Sequence, residues 1–492
     1  MRILLLALAV MFMTACGGGG GDSSTPASND TPAPTPAPTP TPTPTLEASI
    51  LPGPFLNIDD EVIAELEIID INNDGLQDVL MSATNYSSNN TFKVLVNQGE
   101  KVFVDQTANL FPAGSNPTQN NLPYWVSQFY FVDLNNDGMK DLVAGASNPQ
   151  TGSFDQIFIQ QADGTFDELP TSTFDPFDFT YNNGEYDPGH GLDGMLLPVD
   201  VDGDGDVDLV NLDNSHSVLY DNDLATTDTI FEVRVYRNDS LNGATIFTKS
   251  SEARYQDINP EKAAFVDNPA VVDINHDGFD DIVYFGPKWK GSFVNEAVEL
   301  KVLLSNGMGS FTSGAAQVIS GEIPTLIHGN AHSVGDFNSD GYVDIVVGGS
   351  GYDAAPFDGE RNVLLLSQPD GKYTDAKQQA SAFIDNPIMT HSSAVGDLDG
   401  DGSLDIVFAD IAKGTVADHV KLLLNDGNAN FQIQADAFPN GASYGDEAEG
   451  NAWTSVRIAD MDNDGRADII LGAQFTTTNS IIYWNDGSGT FK

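Results

Sequence analysis

From about Leu46 onward, short runs of β-branched and aromatic residues alternate with clusters of Gly, Asn and Asp, and no long stretch repeats its apolar positions at helical spacing. The pattern predicts strands throughout. The runs come in pairs around an acidic cluster: LEIID, FYFVD, LLPVD, AVVD, SVGD, AVGD and VRIAD lead in, and DVLM, DLVA, DLVN, DIVY, DIVV, DIVF and DIIL lead out. A polar cluster flanked this way is a hairpin turn between two buried strands. A third strand follows after an insertion of variable length, in KVLVNQGEKVF, QIFIQQADGTF, VRVYRND, LKVLLSNGMGSF, NVLLLSQPDGKY, VKLLLNDGNANF and IIYWNDGSGTF. In several of these a Gly/Asn/Asp turn leads to an aromatic residue that begins a fourth strand.

The acidic clusters are one motif, D-x-[DN]-x-D-G-x-x-D, seven times over: DINNDGLQD, DLNNDGMKD, DVDGDGDVD, DINHDGFDD, DFNSDGYVD, DLDGDGSLD and DMDNDGRAD. Their first aspartates lie 63, 67, 73, 63, 61 and 63 residues apart. Four strands in each such period make one propeller blade, and seven blades close a ring. The expected fold is therefore all-β, a seven-bladed β-propeller over residues 46–492. The chain stops at Phe491 and Lys492, where blade seven should begin its outer strand. The segment around Ala48 to Phe55 is expected to supply that strand, since an unclosed ring would leave unpaired sheet edges.

Ahead of the propeller the composition is different. Residues 1–15 read as a signal peptide, with Arg2 followed by an apolar run from Ile3 to Met13 that is short for a membrane span. Met13, Thr14, Ala15 and Cys16 resemble a bacterial lipobox, which implies lipidation at Cys16, the only cysteine. Gly17 stands where such lipoproteins carry the aspartate that retains them at the inner membrane, so the expected location is the outer membrane or cell surface. Residues 16–45 form a linker whose Thr31–Thr45 run, TPAPTPAPTPTPTPT, is either an extended polyproline II stalk or an O-glycosylated spacer.

Charge narrows the partners. Lys and Arg total 20 against 72 Asp and Glu, a formal net charge of −52, which repels nucleic acid and anionic lipid. Contact with a membrane is expected only through the N-terminal lipid, and a monomer is expected. Part of the acidity is in the loops, whose candidate metal ligands are Asp70, Asn72, Asp74 and Asp78; Asp133, Asn135, Asp137 and Asp141; Asp200, Asp202, Asp204 and Asp208; Asp273, Asn275, Asp277 and Asp281; Asp336, Asn338, Asp340 and Asp344; Asp397, Asp399, Asp401 and Asp405; and Asp460, Asp462, Asp464 and Asp468.

All of these are oxygen donors, with the carbonyl at position seven as a further one. Cys and His ligands for zinc or copper are missing, and so many flexible ligands suit Ca2+ better than Mg2+. Up to seven structural calcium ions are expected. An EF-hand would need Glu at position twelve, where these loops carry Met81, Ala144, Asn211, Tyr284, Val347, Phe408 and Leu471. With dissociation constants near 10⁻⁴ to 10⁻³ M and about millimolar free calcium, each loop would add about 0.4 to 1.4 kcal/mol. Seven loops would then match a domain's ordinary stability.

The motif between strands, repeated about every 60 residues with NDGxGxF-type turns, resembles the FG-GAP/VCBS repeat family, which includes the propeller of integrin α-subunits. The resemblance spans residues 46–492 and implies a propeller with metal loops, although the FG-GAP signature itself is poorly kept. It also implies an interaction module that binds a protein or glycan through the face opposite the acidic loops. That face receives the variable insertions: Phe174–His190, the segment with Tyr124 and Trp125, Asp213–Asp228, and Lys288-Trp289-Lys290.

Some members of the family are polysaccharide lyases or sugar dehydratases with His and Tyr at the channel mouth. The corresponding alternative here is a carbohydrate-active lyase or hydrolase using His190, His328, His391 and Tyr186, with Trp453 beside them. His190, His328, His332 and His391 precede their loop aspartates by ten, eight, four and six residues, even offsets that in an unbroken strand give one side-chain direction. No nucleophile motif, phosphate loop or H-E-x-x-H accompanies them, and histidines that satisfy backbone groups at strand ends are the plainer reading.

Overall fold

The computed structural model describes residues 49–51, 62–84, 90–112, 126–146, 156–169, 195–213, 232–240, 247–254, 266, 268–287, 294–352, 358–377, 389–411, 420–434, 437–438, 453–473 and 480–487. They form seven four-stranded antiparallel sheets arranged as a β-propeller. Blade 1 is Val62–Ile69, Asp78–Thr84, Asn90–Asn97 and Phe103–Asp105. Blade 2 is Val126–Val132, Asp141–Ala146, Gln156–Gln160 and Phe166–Glu168, and blade 3 is Met195–Val199, Asp208–Asp213, Glu232–Asn238 and Phe247–Arg254. Blade 4 is Ala270–Val272, Asp281–Tyr284, Lys301–Ser305 and Phe311–Ser313. Blade 5 is Gly329–Gly335, Asp344–Gly349, Val363–Gln368 and Lys372–Asp375, and blade 6 is Thr390–Gly396, Asp405–Asp410, Val420–Asn425 and Phe431–Ile433.

Blade 7 takes only three strands from the end of the chain, Trp453–Ala459, Asp468–Ala473 and Ile481–Tyr483. Its fourth is Ser49–Ile50, paired antiparallel through Ser49 with Ile482 and Ile50 with Ile481. Leu51 continues the clasp by donating its N–H to the Ser480 carbonyl at 2.9 Å. The expected N-to-C closure is therefore present, and it gives the blade 7 edge a partner.

Each blade is buried on both faces, which is why its strands are continuously apolar rather than alternating. In the second strand of blade 6, Ile406 and Phe408 pack toward blade 5 while Val407 and Ala409 pack toward blade 7. The hydrophobic clusters among the described residues follow this rule around the ring, one at each of the seven blade junctions. The junction of blades 1 and 2 is the aromatic one: Phe111 stacks on Phe166 at 5.0 Å and meets Phe92 and Phe158 edge-on at 4.8 and 5.4 Å.

The first strands of blades 1, 2, 5, 6 and 7 each carry a β-bulge against the second strand. The extra residue is Ala64, Ser127, Asn330, His391 or Thr454, in every case six residues before the loop aspartate. The bulge breaks the two-residue alternation on which the even histidine offsets relied. It lies between His328 and His332, and His391 is itself the extra residue, so their spacing does not assign them one side-chain direction. Trp453 is a second correction. It is fully buried in the core between blades 6 and 7, not at a channel mouth.

Candidate metal centre

Each acidic loop is a tight arch tied by its own carboxylates. In the first, the Asp70 carboxylate accepts the N–H groups of Asp74 and Gly75 at 3.0 and 2.8 Å, and Asp74 accepts that of Leu76 at 2.9 Å. The bond from position seven to the carboxylate of position five recurs in the other six loops. Two residues per loop adopt the left-handed backbone region. The glycine at position six is one, as Gly205 at φ 94° shows. Position four does so as well, at Asn73, Asn136, Gly203, His276, Ser339, Gly400 and Asn463. The run of Asn, Gly, Ser and His at that position is the sequence signal, since Asn and Gly tolerate this conformation best.

The aspartate at position nine does something else. All seven, Asp78, Asp141, Asp208, Asp281, Asp344, Asp405 and Asp468, are buried to 1% exposure or less. One carboxylate oxygen of each accepts the N–H of position two of its loop: Ile71, Leu134, Val201, Ile274, Phe337, Leu398 or Met461. The other accepts an N–H from the end of the third strand or the residues next to it: Asn97, Gln160, Asn238, Ser305, Ser367, Asn425 or Asn485. Burial pushes these carboxyls up, to about 6 for Asp78, Asp208, Asp344 and Asp405 and about 7 for Asp141, Asp281 and Asp468, against the pull of the two N–H groups.

The third-strand residue extends the tie to the preceding blade. The side-chain amide of Asn97 donates to the Met461 carbonyl, that of Asn238 to Leu134, that of Asn425 to Phe337 and that of Asn485 to Leu398, at 2.8 to 2.9 Å. Gln160 reaches Ile71 at 3.3 Å. Each acceptor is position two of the preceding blade's loop, the residue whose N–H is held by that blade's position-nine aspartate. Where serine replaces the amide, blade 4 is joined to blade 3 through Gly309 N–H to the Val201 carbonyl at 3.3 Å, and blade 5 to blade 4 through Ser367 Oγ and His276 Nε2 at 3.3 Å. These Asn and Gln residues were overlooked in the sequence, although an Asn, Ser or Gln ends the third apolar run in every repeat.

The donor set fits a hard cation. Oxygens of Asp200, Asp202 and Asp208, of Asp397, Asp399 and Asp405, and of Asp460, Asp462 and Asp464 converge to within 4.8 Å of one another. These are the three loops with aspartate at position three. At Asp202 desolvation, together with the negative charges of Asp204 and Asp200, pushes the carboxyl up. In the last loop Asp462 Oδ1 is buried without a hydrogen-bond partner, an acceptor turned toward the cluster's own carboxylates. That loop also has two protein cations at hand, Arg466 on Asp464 and Lys101 on Asp462. In loops with asparagine at position three, Asn72 and Asn275 instead donate to Asp74 and Asp277 at 2.9 Å.

The alternative catalytic set is only partly described. His328 is buried at the entry to its strand, and its backbone N–H is held by Glu360 at 2.8 Å. Glu360 also accepts the N–H groups of Ile327 and Gly351, so it ties the strand entry together. His332 lies with its ring parallel to that of Phe285, 6.3 Å apart. His190 and Tyr186 lie outside the described residues, as do Tyr124, Trp125, Lys288, Trp289, Lys290 and Cys16.

A closed seven-bladed propeller whose every blade turns on an acidic loop is the class of protein defined by this fold and site. Residues 70–144, 336–408 and 397–471 match the FG-GAP-like repeat, so the chain carries FG-GAP-like repeats. It is 29% identical to integrin alpha-6 of Gallus gallus over 156 residues, 31% of this chain and 13% of that protein. Integrin alpha pat-2 of Caenorhabditis elegans is 38% identical over 100 residues, 20% of this chain and 8% of that protein. The T-cell immunomodulatory protein homolog of Plasmodium yoelii yoelii is 26% identical over 231 residues, 45% and 30% of the two chains. The matched regions thus span less than a third of these relatives. Among solved structures, a rhamnogalacturonan lyase PL11 of Bacillus licheniformis is similar at 10% identity and a TM-score of 0.41, over 86% of this chain and 71% of that one.

Proposed function

We propose that the protein is a noncatalytic binding module displayed at the cell surface, a propeller fastened by calcium on one face and engaging a protein or glycan through the other. The observation that carries this reading is the ring of position-nine ties, in which each acidic loop is joined to its own third strand and, through that strand or the turn after it, to the preceding blade. A cation in such a loop is placed to hold blades together. In each loop the side chains at positions one, three and five, with position nine beneath them, would hold the ion. The similarity to integrin α chains supports an interaction role.

Lipid attachment at Cys16 and the linker to residue 45 would set the propeller off from a membrane. Among the described residues no helix is long and apolar enough to cross one. A glycan array and cell-surface pull-down, run beside an ultraviolet assay for new unsaturated sugar ends, tests the function. Saturable binding without turnover supports the module, whereas turnover abolished by His328→Ala or His391→Ala would establish the carbohydrate-active alternative. Cys16→Ala is expected to release the protein from the membrane fraction.

A further inference from the structure

A cleft of about 650 Å³ opens between blades 1 and 2 on the face that carries the acidic loops. That volume lies within the range of small-molecule sites. Its floor is the aromatic junction, reached at Phe129 and Phe166, and the ring-on-ring packing of Phe166 with Phe111 makes that floor rigid. Phe131 lines one wall and is only half-buried. Glu67, Asp70, Asn73 and Gln77 line it from blade 1 and the exposed Lys140 from blade 2.

Such a lining selects a ligand with an apolar face and a polar edge. A pyranose ring has both: its C–H face packs on an aromatic ring, and its hydroxyls both donate to carboxylates and accept from amides and ammonium. The protein's net charge of −52 disfavours sulfated and uronic sugars. We propose that this cleft is a binding site for a neutral oligosaccharide, distinct from the partner surface on the opposite face. The position of Asp70 makes the first acidic loop part of its rim, so occupancy of that loop would shape the site.

The test uses the whole protein in calcium. Cellotetraose, maltotetraose, mannotetraose and xylotetraose are titrated by calorimetry and saturation-transfer NMR, with tetragalacturonate as the anionic arm. Saturable binding of at least one neutral sugar, with saturation transfer to its ring protons, is expected. Phe131→Ala should weaken it at least about tenfold, the loss of one aromatic platform. Because Phe131 also touches the core, Gln77→Trp, which narrows the rim from the surface, serves as the second variant and should abolish binding with an unchanged melting temperature. No saturable binding by any of the four neutral sugars overturns the proposal. So does binding that both variants leave intact, or a preference for tetragalacturonate. Loss of opposite-face partner binding would leave these results unaffected, so the two readings fail separately.

Discussion

Asp405 and its six counterparts occupy position nine of the motif, where sequence alone reads one more metal ligand. Their burial and the two backbone N–H groups that each carboxylate accepts make them staples as well. Asp405 holds the N–H groups of Leu398 and Asn425 at 2.9 Å each. Asp405→Ala strands both donors in the interior, at about 1 to 3 kcal/mol each, and is expected to destabilise the protein by about 2 to 6 kcal/mol with or without calcium. Asp399, at position three of the same loop, is half-buried and holds only the Asp401 N–H at 3.1 Å. Asp399→Ala is therefore expected to lower stability in calcium and to change it by less than about 1 kcal/mol in chelator. Urea denaturation of both variants in each condition separates the staple from the ligand.

Among the elements, the first strands decide how blades meet near the axis. From blade 4 round through blade 7 to blade 2 those of neighbouring blades pack against one another, and blades 7 and 1 add an ion triad in which Arg457 serves both Glu65 and Glu67. Glu65 is almost wholly buried, and burial raises its pKa while Arg457 opposes the rise. Arg457→Ala leaves two carboxylates facing each other without a cation and is expected to cost about 3 to 5 kcal/mol, measured by urea denaturation. The first strand of blade 7 takes part in a further tie, since Thr454 Oγ1 donates to the Ile63 carbonyl across the same seam. The clasp closes this junction from the outer edge. Deleting residues 46–56 should lower the melting temperature by several degrees and lower the denaturant midpoint, because Ile481 and Ile482 lose their strand partner.

At the scale of the whole ring, the seven position-nine carboxyls act together. Their folded pKa values, about 6 to 7, exceed the ordinary aspartate value, so the metal-free native state holds more protons than the unfolded chain between about pH 4 and pH 7. Their contribution to stability is fully present below pH 4 and is lost as pH rises through 6 to 7. A bound divalent cation favours the ionised carboxylates and counteracts that loss. The rise in melting temperature on adding calcium to metal-free protein should therefore be larger at pH 7.5 than at pH 5.0, as thermal denaturation followed by circular dichroism will show. An equal rise at both pH values would show that the cation does not bind near these groups.

Much of this molecule is legible in its sequence because its signals are local and repeated. The nine-residue motif needs only its own residues to form a loop, so seven copies were enough to count the blades, and the interrupted last blade pointed to the clasp. The chemistry of the loops followed from side chains a few positions apart. Relations between blades were not legible in the same way. Continuous apolar runs such as DIVF do not say which residue faces which neighbour, the bulge that five first strands carry six residues before the loop breaks the alternation that grouped the histidines, and Trp453 reads as well for a channel mouth as for a core. The amide ties of Asn97, Asn238, Asn425 and Asn485 join residues 87 to 364 positions apart. Only closure of the ring brings such residues together, so tertiary structure alone turned an acidic turn into a staple and opened a cleft between the first two blades.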